Sequence, residues 1–569
     1  MRILLLTHGF NSLCQRLFVE LEEQGHELAV EFDIHDAVTT DAVERWKPDL
    51  IVAPYLKRAI PEAVWREYVC LVVHPGIEGD RGPSALDWAI LNGEQTWGVT
   101  ILQATGELDA GPVWATTHFP MRPATKSSLY RNEVTEAAVG AVLAAVERFA
   151  REGAHAPSVS PGGSRTGRWR PPMRRTDRAI DWRRDDTETV LRKIRSADGS
   201  PGVGDGFLGR ELFLYDAHPD RRRSGGAGAL IARCGPAVCR ATVDGAVWIG
   251  HVRDKHGPHP FKLPATRVLA AEIEGLTEIT PEDADAYRDI WYEESGRVGY
   301  LHFTFYNGAM GVEQCHRLLE AYRRARDRDT RLIVLMGGPD FWSNGMHLNL
   351  IEAADSAADE SWRNIVAIDD VAREIITTQS HLTVSALRGN AGAGGVMLAR
   401  AADRVWARIG IVLNPHYKDM GNLYGSEYWT YLLPRHAGPE HAQRLTQARL
   451  PMGTREAVAL GLVDERFGAD AEDFVREVQA RAQVLADDPA LDRLLAEKND
   501  RRARDEALKP LADYRAEELD KMKLNFYGFD PSYHVARYNF VHKVAKSRTP
   551  LTIARHRRPV ASAVRPASR

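Results

Sequence analysis

Residues 385–399, SALRGNAGAGGVMLA, decide how we interpret the C-terminal half of the chain. The run before them, Leu382–Val384, favours a strand, the glycines favour a tight turn, and Val396–Ala402 has the apolar character of a buried helix. Glycines let a backbone approach a ligand closely, and free N–H groups at a helix start carry positive potential. The spacing matches neither G-x-G-x-x-G nor G-K-[ST]. The turn is therefore a candidate for half of an oxyanion hole, and simple packing is the alternative.

A second turn lies upstream in residues 332–348, LIVLMGGPDFWSNGMHL. Together the two turns resemble the crotonase (enoyl-CoA hydratase/isomerase) family, as does AVALGLVDERF at residues 457–467. That family polarises a thioester carbonyl with two backbone N–H groups. The resemblance implies that these groups belong to Met346 and Gly394.

The sequence departs from that family at the two hydratase glutamates, whose positions hold Met397 and Tyr417. Without these carboxylates, hydration lacks its general acid and base. Glu427 follows ten residues after Tyr417, next to an aromatic cluster. Because desolvation raises the pKa of a carboxyl, we predict that Glu427 moves protons in a different reaction and that Tyr417 assists it. The alternative is that Glu427 caps a helix and Tyr417 fills a pocket wall.

Composition sets outer limits on function. The chain has 569 residues, of which 44% are hydrophobic and 27% charged, with a net charge of −4, so it has room for several domains and no basic character. We expect no nucleic-acid partner, no membrane partner and a cytoplasmic location. The five cysteines contain no C-x-x-C pair, and His251, His256 and His259 lack a known ligand spacing, so no metal site is predicted.

The first 150 residues alternate strands and helices. Strands are predicted at Arg2–Thr7, Glu27–Phe32, Leu50–Ala53 and Cys70–Val73, with a helix at Leu13–Gln24. This alternation predicts a parallel, doubly wound sheet whose ligand lies at the carboxyl ends of the strands.

Four segments around these strand ends are, in order, LVVHPG at residues 71–76, RGPS at 81–84, GVTI at 98–101 and LDAG at 108–111. They resemble the N10-formyltetrahydrofolate-dependent formyltransferases. The resemblance implies a catalytic pair, His74 and Asp109, and a substrate loop at Arg81 and Gly82. A structural histidine and a turn aspartate are the alternative.

Other positions in this half are weaker candidates. Gln15 and Arg131 are additional candidates for binding the folate or CoA substrate. The asparagine that formyltransferases carry two residues before their histidine is Val72 here. Losing such an oxyanion donor costs on the order of 10²–10³ in rate, so either another donor substitutes or the acceptor and mechanism differ from those of the tRNA enzyme. A strong nucleophile such as a thiolate would need less help than an amine.

Downstream composition divides the rest of the chain. Residues 151–176 are a basic, Gly/Pro-rich linker, and short strands between residues 177 and 272 predict an OB-like β-barrel, as in formyltransferases. We therefore predict an α/β multidomain protein: a doubly wound formyltransferase domain (1–155), the small barrel (177–272), a crotonase (ββα spiral) domain (296–486) and a helical extension (487–569). Its basic tail around Arg555–Arg558 is expected to be disordered.

This domain order resembles the HypX (HoxX) type of [NiFe]-hydrogenase maturation factor over nearly the whole chain. The resemblance implies formyl transfer from N10-formyltetrahydrofolate to coenzyme A, then release of carbon monoxide for the hydrogenase iron. It also implies small-molecule substrates and contact with a hydrogenase large subunit or other maturation proteins. Three alternatives stay open: a formyltransferase for an amine acceptor, a formyl-CoA hydrolase, and a scaffold that binds folate or CoA without catalysis.

Overall fold

The computed structural model describes residues 1–155, 167–207, 209–280 and 286–558. The predicted linker lies outside these ranges at residues 156–166, as does the segment 281–285 before the third domain. Within the described ranges, no helix combines the length and apolar character that a membrane crossing requires.

The N-terminal domain contains a six-stranded sheet in the order β2-β1-β3-β4-β5-β6. Its strands are β1 (Arg2–Thr7), β2 (Glu27–Phe32), β3 (Leu50–Tyr55), β4 (Cys70–His74), β5 (Thr96–Gln103) and β6 (Val113–Pro120). Its helices are α1 (Ser12–Glu23), α2 (Asp36–Trp46), α3 (Glu62–Glu67), α4 (Ala85–Asn92), α5 (Lys126–Leu129) and α6 (Thr135–Glu152), with a π-helical turn at Tyr130–Val134.

The first four strands of this sheet are parallel, as predicted, but the sheet as a whole is mixed. β5 runs antiparallel to β4, and β6 runs antiparallel to β5. Apolar side chains of α1, α4 and α6 cover one face, and those of α2 and α3 cover the other. The sheet is therefore buried on both sides, as a doubly wound fold requires.

The second domain is an antiparallel sheet in the order β7-β8-β11-β10-β9, with β12 paired to β11. Its elements are α7 (Thr187–Arg195), β7 (Val203–Phe207), β8 (Arg210–Asp220), β9 (Leu230–Cys234), β10 (Ala237–Ala241), β11 (Ala246–Asp254), β12 (Leu263–Pro264) and α8 (Ala265–Val268). Apolar residues of α7 and α8 pack against this sheet.

The third domain has two sheets, ordered β13-β14-β15-β17-β19-β22 and β16-β18-β20-β21. Its strands are β13 (Ile290–Ser295), β14 (Val298–Phe303), β15 (Leu332–Met336), β16 (Phe341–Ser343), β17 (Leu382–Leu387), β18 (Asn390–Gly392), β19 (Arg404–Arg408), β20 (Val412–Asn414), β21 (Met452–Gly453) and β22 (Glu465–Phe467). Its helices are α9 (Val312–Arg326), α10 (Leu348–Glu352), α11 (Ala357–Ile376), α12 (Gly394–Arg400), α13 (Trp429–Ala437), α14 (Pro439–Gln447), α15 (Thr454–Ala459) and α16 (Ala471–Ala486). Each sheet thus contributes one strand before each of the two predicted turns.

The C-terminal extension is helical, with α17 (Leu491–Leu508), α18 (Leu511–Tyr527) and α19 (Ser532–Val541). Buried residues of α18, Leu511, Met522 and Phe526, join the core of the third domain. The extension is therefore part of that domain's packing.

The basic tail that follows is ordered as far as residue 558, so the prediction of disorder is wrong there. Val30 of β2 donates a backbone hydrogen bond to Ile553, at 3.0 Å. The buried carboxylate of Glu31 lies 2.8 Å from His556 Nε2 and 2.7 Å from an Arg557 guanidinium nitrogen. The tail is held in place by a buried acid that the sequence does not reveal as its partner.

Candidate active sites

The first candidate site is built at the carboxyl end of β4, where the strand stops at His74. The chain must pass directly over the imidazole, since a Cβ atom on Gly76 would lie 2.3 Å from His74 Nε2. Asp109 Oδ1 lies 3.6 Å from His74 Nδ1, and its other carboxylate oxygen accepts a hydrogen bond from the Gly82 N–H at 3.0 Å. Asp109 also holds a left-handed backbone conformation, with φ 55°. The predicted pair and its glycine loop are therefore in one place, and local strain there is typical of functional sites.

A second carboxylate, which sequence reasoning missed, faces the other side of the imidazole. Asp80 Oδ2 lies 3.8 Å from His74 Nε2. Its second oxygen accepts a hydrogen bond of 2.5 Å from Arg170 Nε, and both side chains are buried. In the part of the chain that the structure describes, His74 Nε2 and Asp80 Oδ2 have no hydrogen-bond partner. Arg170 belongs to the described end of the predicted linker, so residues 167–170 pack against the site.

Two other predicted positions, Arg81 and Val72, lie in the loop after β4 and on β4 itself. Arg81 pairs with Glu107 at 2.5 Å, and its backbone forms a bridge with Trp169 of the linker. Val72 lies on β4 opposite Leu102 and supplies no polar group. The loop predicted to bind the substrate packs against the linker. The position where formyltransferases carry an asparagine is apolar in this protein.

Gln15 and Arg131 lie where the first and third domains meet. Gln15 accepts a hydrogen bond from the Asn414 side chain at 3.0 Å. Arg131 lies 3.4 Å from a carboxylate oxygen of Asp340, and its guanidinium stacks 4.7 Å from the centre of the Phe341 ring. Both residues thus contact the third domain beside its own candidate site.

In the third domain the two predicted turns meet. A Cβ atom on Gly345 would lie 3.8 Å from the Gly394 nitrogen, so the segment leading to Met346 reaches the start of α12. The first N–H groups of a helix have no partner within the helix. Ala393, which precedes Gly394, has φ 47°, and its N–H is held by the Asn414 carbonyl at 2.9 Å. This geometry fits a preorganised pair of N–H donors.

The cavity beside these turns has a volume of about 170 Å³. Its lining includes Met346, Gly394, His416, Tyr417 and Glu427. Met397, at the position of the first hydratase glutamate, is fully buried in the apolar core instead. The cavity therefore brings together the predicted residues of this half.

The side chain of Glu427 points at the turn that contains Gly394. Its side chain is buried, and a Cβ atom on Gly394 would lie 1.9 Å from Glu427 Oε1. The Tyr417 hydroxyl lies 2.8 Å from Glu427 Oε2 and 3.0 Å from the Ser426 carbonyl oxygen. Since that hydroxyl has one proton, a neutral Glu427 can donate to Tyr417 while Tyr417 donates to Ser426. Burial, reinforced by the charge of Asp369, raises the pKa of Glu427 to about 8.

Two further buried carboxyls, Asp369 on α11 and Glu518 on α18, lie behind Glu427 and were missed in the sequence. Burial raises the pKa of Asp369 to about 6 and that of Glu518 to about 8. The sequence contains one indication of Asp369: its helical spacing places it on the same face as the buried residues Ile365, Ala372 and Ile376. A carboxylate on an apolar helical face is a candidate for function.

The first and third domains are joined through Asp340, which precedes the turn that leads to Met346. Its carboxylate accepts hydrogen bonds from the Ser128 hydroxyl at 2.7 Å and the Asn132 amide at 2.9 Å, both from the first domain. Together with the Gln15–Asn414 contact, this ties the N-terminal domain to the supports of both turns. We call this contact region the seam.

No group of three or more His, Cys, Asp or Glu side chains in the described ranges is arranged to hold a metal ion. Of the three histidines considered for such a site, His251 is buried and its Nδ1 lies 3.2 Å from Asp216. Its ring stacks on Tyr306. Through this contact, His251 helps to pack the sheet of the second domain against the third domain.

Comparison with known proteins assigns each part of the chain. Residues 15–146 match the formyl transferase family, 172–259 the formyl transferase C-terminal domain, and 305–523 the enoyl-CoA hydratase/isomerase family. Methionyl-tRNA formyltransferase of Syntrophus aciditrophicus is 25% identical over 187 residues, which cover 32% of this chain and 59% of that one. The predicted fold class is confirmed.

Two relatives match over nearly the full length. The hydrogenase maturation factor HoxX of Bradyrhizobium diazoefficiens is 59% identical over 99% of this chain and 100% of its own. The crystal structure of HypX from Aquifex aeolicus in complex with tetrahydrofolic acid is 49% identical, superposes with a TM-score of 0.94, and covers 98% of this chain and 99% of that one. The formyltransferase fold, the crotonase-like fold and their order are thus shared from end to end, and the chain belongs to the HypX/HoxX family of hydrogenase maturation factors.

Proposed function

We propose that this protein transfers the formyl group of N10-formyltetrahydrofolate to the thiol of coenzyme A, and that the formyl-CoA then breaks down to carbon monoxide and CoA. The first step uses His74 and Asp109, and the second uses the cavity beside Gly394. In this proposal the carbon monoxide becomes a ligand of the hydrogenase iron. A hydrogenase large subunit or another maturation protein is the expected recipient.

The folate step is supported by the relative from Aquifex aeolicus, which was crystallised with tetrahydrofolic acid. In our proposal the CoA sulfur attacks the formyl carbon, the carbon–N10 bond breaks, and the thiol proton passes to N10. His74 carries that proton while Asp109 stabilises the imidazolium, because a carboxylate beside an imidazole favours its charged form. His74 Nε2 is buried without a hydrogen-bond partner in the described ranges and lies 3.8 Å from Asp80 Oδ2, so a second carboxylate also faces the imidazole.

The decomposition step is supported by one observation above the others: a single buried carboxyl, Glu427, lies against the Gly394 turn, while Met397 and Tyr417 replace the two hydratase glutamates. Hydration needs an acid and a base on water, and this arrangement supplies one proton-transfer group at the carbonyl. The crotonase fold supplies the expectation that the thioester is one of coenzyme A.

The proposed step balances without any other reactant. Glu427 takes the formyl proton, the carbon–sulfur bond breaks, carbon keeps both former C–H electrons as carbon monoxide, and the proton returns to sulfur to give CoA thiol. The Met346 and Gly394 N–H groups polarise the carbonyl oxygen during this step. Tyr417 stabilises Glu427 as it gains and loses the proton.

The seam supports transfer of the intermediate between the sites. Asp340 and Asn414 lie next to the two turns of the third domain and contact the first domain, so the domain that would make formyl-CoA is held against the domain that would consume it. Covalent fusion raises the effective concentration of an intermediate at the next site.

The test uses the purified full-length protein with formyltetrahydrofolate and CoA. Reduced haemoglobin traps carbon monoxide, and formate is measured in parallel. The proposal predicts CoA-dependent carbon monoxide with little formate. Formate without carbon monoxide would indicate a hydrolase, folate turnover without CoA an amine formyltransferase, and binding without turnover a scaffold.

A further inference from the structure

The loop that carries Glu427 has an unusual backbone. Glu427 and Tyr428 are consecutive residues with φ 59° and 61°, in the left-handed region that residues with side chains rarely adopt. Such conformations persist only where surrounding groups hold them, and they cluster at functional sites. Something in the fold must therefore fix this loop.

Two buried carboxyls hold it through its backbone N–H groups. Asp369 Oδ1 accepts a hydrogen bond from the Glu427 N–H at 2.9 Å. Glu518 accepts from the Tyr428 N–H at 2.9 Å and from the Thr430 N–H at 2.8 Å. Asp369 and Glu518 are both 0% exposed. The loop is thus pinned from α11 on one side and from α18 of the extension on the other.

The Ser426 hydroxyl lies between the two carboxyls, at 2.9 Å from Asp369 Oδ2 and 3.3 Å from Glu518 Oε2. A hydroxyl has one proton, so it can donate to only one of them. Glu518 Oε2 already accepts from the Tyr428 N–H, so both carboxyls have a donor when the Ser426 hydroxyl donates to Asp369 Oδ2. Ser426 therefore links the two acids at the base of the loop.

We infer that Asp369 and Glu518 are positioning residues for Glu427: both hold its side chain against the Gly394 turn, and the negative charge of Asp369 favours its neutral form. This inference rests on the proposed function only in taking Glu427 as the group that receives the formyl proton. The pair touches the loop and not the cavity, so its effect on the reaction passes through Glu427.

The charge effect has a definite sign. The titratable groups around Glu427 are Tyr417, Cys315 on α9, Asp369 and Glu518, with Arg515 behind Asp369 and with His416 and Asp419 on the cavity wall. Burial raises the pKa of Glu427, and the charge of Asp369 raises it further. Asp369, with a pKa of about 6, is ionised when Glu427 titrates near 8. Removing the Asp369 charge therefore lowers the pKa of Glu427.

Asp369→Asn is the informative substitution. The asparagine oxygen can still accept from the Glu427 N–H, and its amide can donate to Ser426, so the loop keeps its contacts while one charge is lost. Carbon monoxide release from formyl-CoA should rise with pH through the Glu427 titration, because only the carboxylate accepts a proton. We expect Asp369→Asn to move the midpoint of this profile down by about one pH unit, and Asp369→Ala to lower the plateau by about 10²-fold or more.

The matched control is Asp370→Asn. Asp370 also pairs with Arg515, at 2.7 Å, and is 37% exposed, but it makes no contact with the loop. Its profile should keep the wild-type midpoint. Glu518→Gln, on a different helix, loosens the hold on the Tyr428 and Thr430 N–H groups and should lower the plateau, which guards against poor folding of one variant.

Infrared spectra across the pH range provide a readout that needs no turnover. The band of protonated carboxyl groups that Glu427→Gln removes should titrate at lower pH in Asp369→Asn than in the wild type. An unchanged band and an unchanged midpoint would overturn the inference. If the wild type releases no carbon monoxide, the proposed function fails, and the infrared titration alone still decides the role of the two carboxyls.

Discussion

Replacing Gly394 with alanine should displace the Glu427 carboxyl, because the added Cβ atom would overlap with it. The added Cβ would lie 1.9 Å from Oε1 and 2.3 Å from Cδ of Glu427. Non-bonded heavy atoms settle at about 3.5–4.0 Å, so the carboxyl must retreat by about 1.5 Å. Misplacing a reacting group by about 1 Å can cost on the order of 10² in rate. We therefore expect Gly394→Ala to reduce carbon monoxide release by about 10²-fold or more.

The same substitution should spare the first half of the protein. In our proposal formyl transfer from folate to CoA takes place at His74, so its rate should stay close to that of the wild type. Overpacking of this kind costs about 1–3 kcal/mol of stability, which thermal unfolding measures separately. The assay follows haemoglobin-trapped carbon monoxide and folate turnover in the same sample.

Gly140→Ala is the matched control, because its added Cβ on helix α6 meets no atom within 4 Å. It should leave both rates unchanged and stabilise the helix by about 0.5–1 kcal/mol. Adding Glu427→Asp to Gly394→Ala should recover part of the lost release, since the shorter side chain relieves the clash. An unchanged carbon monoxide rate in Gly394→Ala would refute the placement of Glu427 as the reacting group.

Three further results follow from the contacts described. His74→Ala and Asp109→Asn should each abolish formyl transfer, and the double variant should be little worse than either; multiplied losses would mean that the residues act independently. Asp340→Ala should loosen the seam by about 1–3 kcal/mol and release free formyl-CoA into solution, detectable by chromatography; if none appears while carbon monoxide stays normal, the seam does not retain the intermediate. Glu31→Gln removes the buried negative charge that faces His556 and should lower the free energy of unfolding by about 3–5 kcal/mol in denaturant titrations. A change within error would contradict packing of the tail against β2.

Local patterns predicted much of the fold. β1 and β2 have the predicted bounds, and α1 (Ser12–Glu23) differs from the predicted helix by one residue at each end. Each of these elements is determined by its own periodicity of apolar residues. The antiparallel β5 and β6 were not predicted, because strand direction depends on where the chain returns to the sheet, which local pattern does not encode.

The residues of the two candidate sites were also only partly predictable from the sequence. His74 and Asp109 lie together as the resemblance implied, and Glu427 is buried as its aromatic neighbours suggested. Asp369 and Glu518 were missed because acids on helices are usually solvated, and only their place on apolar faces distinguishes them. The seam was missed because it depends on the shapes of two folded surfaces.

In the proposed reaction, Glu427 moves the proton that frees carbon monoxide from formyl-CoA. A single-turnover experiment tests it directly: full-length protein receives folate carrying a 13C-formyl group together with CoA, and labelled carbon monoxide, formyl-CoA and formate are measured. The wild type should release 13CO, and Glu427→Gln should accumulate labelled formyl-CoA without 13CO. Release of 13CO by Glu427→Gln at the wild-type rate would contradict it.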